Sequence, residues 1–224
     1  MNRRRVLGTG ATAVLTTIAG CLTDALGGES ADDVVLEPAG DETQGDPSYP
    51  TYGDPFPTFE LADPLAGRVV DVGDVDDCLV CTAFFATCPA ECIPLMNAMS
   101  TVQTNSLEGG FGSDTLFLAI TFDPERDTAD ELREHAEMMG VDLEAGNWHY
   151  LRPDDANDAK AVVDDRLGIP FEREDLGGGE YDFIHVTVTF LVNPGGYVER
   201  SYRGENPDTQ RIADDLETVL ERWA

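Results

Sequence analysis

Positive charge is scarce in this sequence. Lys160 is the only lysine among 224 residues, thirteen arginines accompany it, and these 14 bases face 44 aspartates and glutamates, a formal net charge of −30. A polyanion would be repelled by such a chain, and nothing concentrates basic charge on one face, so nucleic-acid binding is excluded. Long apolar runs are lacking as well. The weakly apolar N-terminal stretch, residues 6–19, is shorter than the roughly 20 residues a membrane-spanning helix needs. From residue 51 onward there is no internal repeat, which argues against a solenoid. Histidine and cysteine number only three and five, so thiol or soft-metal chemistry has few possible seats. What the chain does have is enough apolar residues, 42% of the total, to fill one core, and a length suited to one domain plus a tail.

Aspartate exceeds glutamate, 26 to 18. Together with the missing lysines, this resembles the composition of salt-in halophilic proteins, in which carboxylates keep a surface hydrated while molar salt screens their repulsion within about 3 Å. The acid is therefore read as a solvated surface and not as a binding patch.

The N-terminus reads as a processing segment. Arg3-Arg4-Arg5-Val6-Leu7 is a twin-arginine pattern, and Ile18-Ala19-Gly20-Cys21 resembles a lipobox, in which small residues precede a cysteine lipidated as the new N-terminus. Residues 1–20 are thus expected to be a twin-arginine lipoprotein signal, with Cys21 as the lipidation site; an uncleaved N-terminal anchor is the alternative. In both cases the chain is held at the extracytoplasmic face of the cell membrane. Removing residues 1–20 takes away three arginines and no acid, so export leaves the protein more acidic. Residues 21–50 carry eight acids, no base and no apolar periodicity, and are expected to be a flexible acidic tether.

Residues 51–224 alternate apolar runs with amphipathic segments, the pattern of an α/β sheet. Strands are predicted over 68–72, 78–86, 115–122, 148–151, 186–192 and 197–202, the last two as a hairpin around Asn193-Pro194-Gly195-Gly196. Helices are predicted over 89–102 and 156–167. Another follows the capping box Thr128-Ala129-Asp130-Glu131 and ends at Gly140, and a last one opens with Asn206 as cap and Pro207 at its first position. Ile212, Leu216, Val219, Leu220 and Trp223 of that last helix are expected to close the core. Strand, cysteine-bearing turn, helix, strand, helix, hairpin and terminal helix is the thioredoxin order, so a thioredoxin-like fold is expected, a central mixed β-sheet flanked by α-helices.

Beyond Cys21, the cysteines are Cys78, Cys81, Cys88 and Cys92. Cys88-Pro89-Ala90-Glu91-Cys92 lies where a strand gives way to a helix, and the N–H groups and dipole at a helix start lower a thiol's pKa. This pair can form a disulfide or grip one soft metal ion. Cys78 and Cys81 lie in a predicted strand, where a separation of three sends side chains to opposite faces. Buried, inert thiols are the preferred reading; a second disulfide, a zinc site with the other pair or a role in metal transfer are the alternatives. His135 and His149 read as structural, and Met96 and Met99 as core fillers at helical spacing. Asp123 and Asp127 are expected to organise a turn and cap a helix, with Arg126 pairing locally, ahead of acting as an acid–base pair. His185, taken alone, would be a hydrogen-bonded histidine at a strand start.

Three motifs in order carry a resemblance. Phe84-Phe85-Ala86-Thr87-Cys88-Pro89-Ala90-Glu91-Cys92-Ile93-Pro94 is similar to the C-P-x-x-C turn of the Sco/SenC family of copper-binding, thioredoxin-like proteins. Asp123-Pro124-Glu125-Arg126-Asp127-Thr128 resembles that family's loop after the next strand. Asp182-Phe183-Ile184-His185, followed by Thr189-Phe190-Leu191-Val192-Asn193-Pro194-Gly195-Gly196, resembles the segment bearing its metal histidine. The departures are Cys78 and Cys81, a glycine-rich acidic insertion near residues 177–180, and Val186 where a small hydroxyl residue is common. The resemblance implies that Cys88, Cys92 and His185 are copper ligands. Cu(I) is soft and prefers thiolates, and two sulfurs and an imidazole also suit Cu(II) with one added ligand.

The function so implied is a membrane-tethered copper chaperone, a monomer, delivering copper to the dinuclear copper site of a terminal oxidase subunit. The alternative is an enzyme, a thiol–disulfide oxidoreductase that reduces that subunit's cysteines, with Cys88 attacking and Cys92 resolving. A peroxidase or copper-dependent redox sensor ranks third, because no peroxidase-type threonine precedes the nucleophile at the usual spacing.

Overall fold

The structure, a computed structural model, describes residues 33–40, 47–88, 90 and 92–223. Its centre is a five-stranded sheet in the order β5-β4-β3-β8-β9. β3 (Cys78–Phe84) and β4 (Thr115–Thr121) run parallel with Cys78 opposite Thr115 and Phe84 opposite Thr121, and β5 (Trp148–Leu151) runs parallel beside β4. All seven residues of β3 and all seven of β4 are buried, as expected of central parallel strands covered on both faces. On the other side β8 (Val188–Val192) and β9 (Val198–Arg203) are antiparallel, closing a mixed sheet. Helices α1 (Cys92–Gly109), α2 (Ala129–Met139) and α4 (Thr209–Trp223) pack around it, α1 touching both of the others. This is the thioredoxin-like arrangement the element order predicts. Two ribbons stand apart from the sheet's ladders, β1 (Glu60–Asp63) with β2 (Arg68–Asp71), and β6 (Phe171–Gly177) with β7 (Glu180–His185). No helix among the described residues is long and apolar enough to cross a membrane.

The parallel register matters for the site. Because β3 and β4 end level, the segments that follow them emerge at one edge of the sheet. β8 is antiparallel to β3, with Thr189 opposite Thr82, so the chain entering β8 from β7 arrives at that same edge. Cys88, Asp123 and His185 follow or precede these strand ends, and topology alone gathers them.

Several local expectations change. The helix predicted over 89–102 runs over Cys92–Gly109, and the one over 156–167 divides into α3 (Ala156–Ala159) and a π-helical continuation, Lys160–Arg166. Thr128 caps α2 by accepting from the Glu131 N–H at 3.3 Å, and Gly140 ends it at φ +69°, a left-handed conformation that suits glycine. The cap of α4 is Asp208, not Asn206, because its carboxylate accepts from the N–H groups of Gln210 and Arg211 at 3.1 Å. Trp223 does not enter the core with Ile212, Leu216 and Val219. It is 40% exposed and lies against Gly195, where a Cβ would come within 2.7 Å of the indole.

The expected flexible tether is also docked over part of its length. Residues 33–40 lie on the domain around Glu199, a fully buried carboxylate that accepts from Val35 N at 2.8 Å, Leu36 N at 2.9 Å and Asn193 Nδ2 at 2.7 Å. The side chain of Leu36 is buried, and Arg200 and Tyr52 donate to the carbonyls of Glu37 and Leu36. One buried carboxylate that needs donors is what turns this polar stretch into a strap. Residues 1–32, with the twin-arginine segment and Cys21, lie outside the described residues.

Candidate metal centre

Cys88, Cys92 and His185 converge. One sulfur from each cysteine and one ring nitrogen of His185 lie within 4.8 Å of one another, the only group of three such donors among the described residues. Cys92 opens α1 and its backbone N–H donates to Cys88 Sγ at 3.3 Å, so the helix start is aimed at the Cys88 sulfur. Cys92 Sγ stands 4.0 Å from His185 Nε2. His185 Nδ1 donates to the Val186 carbonyl at 3.3 Å, which leaves Nε2, the nitrogen that faces the sulfurs, as the atom that can hydrogen-bond a thiolate or exchange its proton for a metal.

The Cys88 thiol is pulled down to about 3. The hydrogen bond from the Cys92 thiol is the main cause, burial opposes it, and His185 with the N–H groups of Ala90 and Cys92 adds to the lowering. Cys88 is therefore a thiolate at neutral pH, ready as a nucleophile or a soft ligand. Cys78 and Cys81 take no part. Both are buried, free thiols; burial pushes Cys78 up to about 12 with help from the charge of Glu199, and pushes Cys81 up as well. The preferred reading of these two as inert core thiols holds.

The other singled-out residues are structural. His135 is buried with Nδ1 3.0 Å from the Tyr150 hydroxyl, and burial lowers its pKa to about 4, which keeps it neutral. His149 bridges Asp63, 2.7 Å away, and Arg68, joining β5 to the β1–β2 ribbon. Met96 and Met99 are fully buried. Asp123 and Asp127 are each engaged in local contacts. Asp123 pairs with Arg126, as expected, whereas Asp127 accepts from Ala86 N at 2.9 Å and from the Thr121 hydroxyl and leaves the cap of α2 to Thr128.

What the sequence reading missed is the β6–β7 hairpin that carries His185. The apparent glycine-rich insertion is its turn, with Gly177 and Gly178 both at positive φ. Tyr181, Phe183 and His185 share one face of β7, and that face packs on the end of the sheet: Phe122 lies 5.3 Å from Phe183, 4.8 Å from Phe171 and 5.1 Å from His185, centroid to centroid. The available signal was weak: Tyr181, Phe183 and His185 recur at a period of two, but the exposed Ile184 breaks the apolar–polar alternation of a half-buried strand.

The donor set fits a soft metal. Two sulfurs and an imidazole suit Cu(I), whereas a structural zinc site would call for a fourth ligand. Metal and disulfide exclude each other here, since both use the same sulfur lone pairs.

Comparison with known proteins bears on the whole domain. No curated protein matches the sequence. Among solved structures, a SCO1/SenC family lipoprotein from Bacillus anthracis is 20% identical, aligned over 76% of this chain and 96% of its own, with a TM-score of 0.63. BsSco, described as a member of the Sco family of cytochrome c oxidase assembly proteins with a disulfide switch, is 18% identical over 77% of this chain and 97% of its own, with a TM-score of 0.61. Bradyrhizobium japonicum ScoI, solved with copper bound, is 18% identical over 75% and 99%, with a TM-score of 0.59. These likenesses establish the fold. The family model for SCO1/SenC matches residues 56–221, from ahead of β1 into the last turn of α4 and across all three donor residues, so this chain belongs to the SCO1/SenC family.

Proposed function

We propose that this protein is a membrane-tethered copper chaperone that carries copper on Cys88, Cys92 and His185 and delivers it to the dinuclear copper site of a terminal (cytochrome c) oxidase subunit. The observation that carries this reading is the convergence of two sulfurs and an imidazole nitrogen within 4.8 Å from segments 93 residues apart. Two similar structures solved with copper bound, and a third described as a member of the Sco family of cytochrome c oxidase assembly proteins, support it. Copper is cargo. A group of three donors, with no fourth His, Cys or carboxylate in the cluster among the described residues, suits a metal that must be released as well as held. The chain acts as a monomer on the extracytoplasmic face, exported by its twin-arginine signal and anchored through Cys21, as the leader sequence and the lipoprotein relative support.

A second reading has its own observation, the lowered pKa of Cys88. As a thiol–disulfide oxidoreductase, the Cys88 thiolate attacks a disulfide of the oxidase subunit and releases one target thiolate. Cys92 then gives up its proton and attacks Cys88 sulfur, releasing the second. Two electrons pass to the target, and Cys88–Cys92 becomes the disulfide.

Titration of the reduced protein with Cu(I) against a competing chelator, in molar KCl, tests the first reading. Wild type is expected to hold one copper per chain, and His185→Ala to hold it at least tenfold more weakly while keeping thiol–disulfide exchange. Absence of copper retention by wild type would refute the chaperone reading. Undiminished retention by the variant would remove His185 from the site.

A further inference from the structure

The two halves of the donor set are not joined by a β-ladder. His185 ends β7, whose only strand partner among the described residues is β6, and this ribbon is separate from the five-stranded sheet that leads into the cysteine turn. Topology brings the imidazole and the thiols to one end of the sheet, and contacts outside the ladders set the distance between them, among them the packing of Phe85 and Phe122 on Phe183 and His185. The segment after β4, residues 123–127, touches both sides. Its own backbone is a tight turn, with Arg126 N and Asp127 N both donating to the Asp123 carbonyl, at 3.2 and 2.9 Å.

Towards the hairpin, Arg126 Nη1 donates to the Tyr181 carbonyl at 2.9 Å, and Arg126 Nε pairs with the Asp123 carboxylate. The guanidinium carbon lies 3.9 Å from the Tyr181 ring centroid, 5.6 Å from that of Phe85 and 5.9 Å from that of Phe183. Tyr181 returns the contact, its hydroxyl donating to Asp123 Oδ1 at 2.9 Å. Arg173 of β6 stacks on the same ring at 3.5 Å and reaches Glu125 Oε2 at 3.1 Å. Two guanidinium groups so close to one centroid cannot share a face, so Tyr181 is sandwiched between them. Towards the cysteine turn, Asp127 accepts from Ala86 N, two residues before Cys88. Five consecutive residues thus hold the thiol side by the Asp127 carboxylate and the imidazole side by the Arg126 guanidinium together with the carboxylates of Asp123 and Glu125.

We propose that residues 123–127 are a positioning bracket, with Arg126 and Tyr181 as the joint that fixes His185 relative to the Cys88 and Cys92 sulfurs. The inference rests on the copper reading for its consequence but not for its geometry. Charge-assisted hydrogen bonds and a stacked cation are strong and directional, which a site split between two sheets requires. Loosening the joint detaches the third donor and leaves the thiols in place, so its cost must vanish once His185 is gone.

A double-mutant cycle reads this directly. Arg126→Gln is expected to weaken Cu(I) binding about tenfold, the usual scale for a residue that orients a ligand. In the His185→Ala background, the same substitution is expected to change it less than twofold. Equal losses in both backgrounds, or none in the first, would overturn the bracket. Tyr181→Phe removes only the hydroxyl bond to Asp123 and preserves the aromatic packing, so it serves should Arg126→Gln fail to fold; a loss of about two- to tenfold, again confined to the background with His185, is expected. Proton NMR of the metal-free, reduced protein gives a readout independent of copper. Cross-relaxation between the His185 and Phe122 rings is expected in wild type and lost in Arg126→Gln, and its persistence would refute the bracket even if wild type bound no copper.

Discussion

Asp127 is the most testable buried charge near the site. Its carboxyl is fully buried, Oδ2 accepts from Ala86 N and the Thr121 hydroxyl, and Oδ1 is buried without a partner. Burial raises its pKa from 3.8 to about 6, against the opposing effect of Thr121 and Ala86, with the charge of Asp123 adding to the rise. The sign follows from linkage. Between pH 4 and 6 the unfolded chain has lost this proton and the folded chain has kept it, so folding stability falls as pH rises through this window. A shift of about two units at 1.36 kcal/mol each makes the fall roughly 3 kcal/mol. Asp127→Asn keeps an oxygen for Ala86 N and cannot ionise. Its offset from wild type at pH 4 reflects the amide placed at Oδ1 and is independent of pH. The stability difference, variant minus wild type, is expected to rise by about 2 kcal/mol from pH 4 to pH 7 and then level off, the rest of the fall lying below pH 4. Urea unfolding of the reduced proteins at half-unit pH steps in molar KCl measures it. A difference that stays flat across the window would show that Asp127 is ionised throughout and refute the reasoning.

Two further outcomes follow from named contacts. Alkylation of the reduced protein is expected to reach Cys88 at a rate nearly constant from pH 7 to pH 4, because its thiolate persists to about pH 3, whereas an ordinary thiol slows about tenfold per unit; mass mapping should find Cys78 and Cys81 more than about a hundredfold slower until denaturant is added. Comparable labelling of Cys78 or Cys81 in the native protein would contradict their burial. Glu199→Ala removes the acceptor of two strap N–H groups, each charge-assisted bond contributing about 1.5–3 kcal/mol, so cleavage after Glu37 by a glutamate-specific protease is expected to accelerate at least about tenfold. An unchanged rate would mean that the strap is held by other contacts.

The elements read best from the sequence were those whose signal is local. The seven-residue apolar strand at Cys78, the cap at Thr128 and the left-handed Gly140 each depend on neighbours within a few positions. Errors arose where a distant partner decides. Trp223 has the helical spacing of a core residue, but the α4 axis turns it towards Gly195 and solvent. Residues 33–40 have the composition of a spacer and are docked because a carboxylate 163 residues away from Leu36 needs their N–H groups. The strands β6 and β7 went unread and their turn near residues 177–180 looked like an insertion, since the strands carry charged side chains and owe their place to contacts with Phe122, Phe85 and Arg126.

Which atoms are available could be read from the residues alone: two thiols where a strand gives way to a helix, one histidine downstream, and an excess of acid that repels polyanions. Residue chemistry is carried by side chains and survives without coordinates. Only the tertiary structure decided that His185 Nε2 faces the sulfurs, that the Cys88 sulfur sits at the N–H of Cys92, and that residues 123–127 span the gap between ribbon and sheet. Distances between segments some ninety residues apart are set by strand register and by the packing of rings and ion pairs, and no local pattern encodes them.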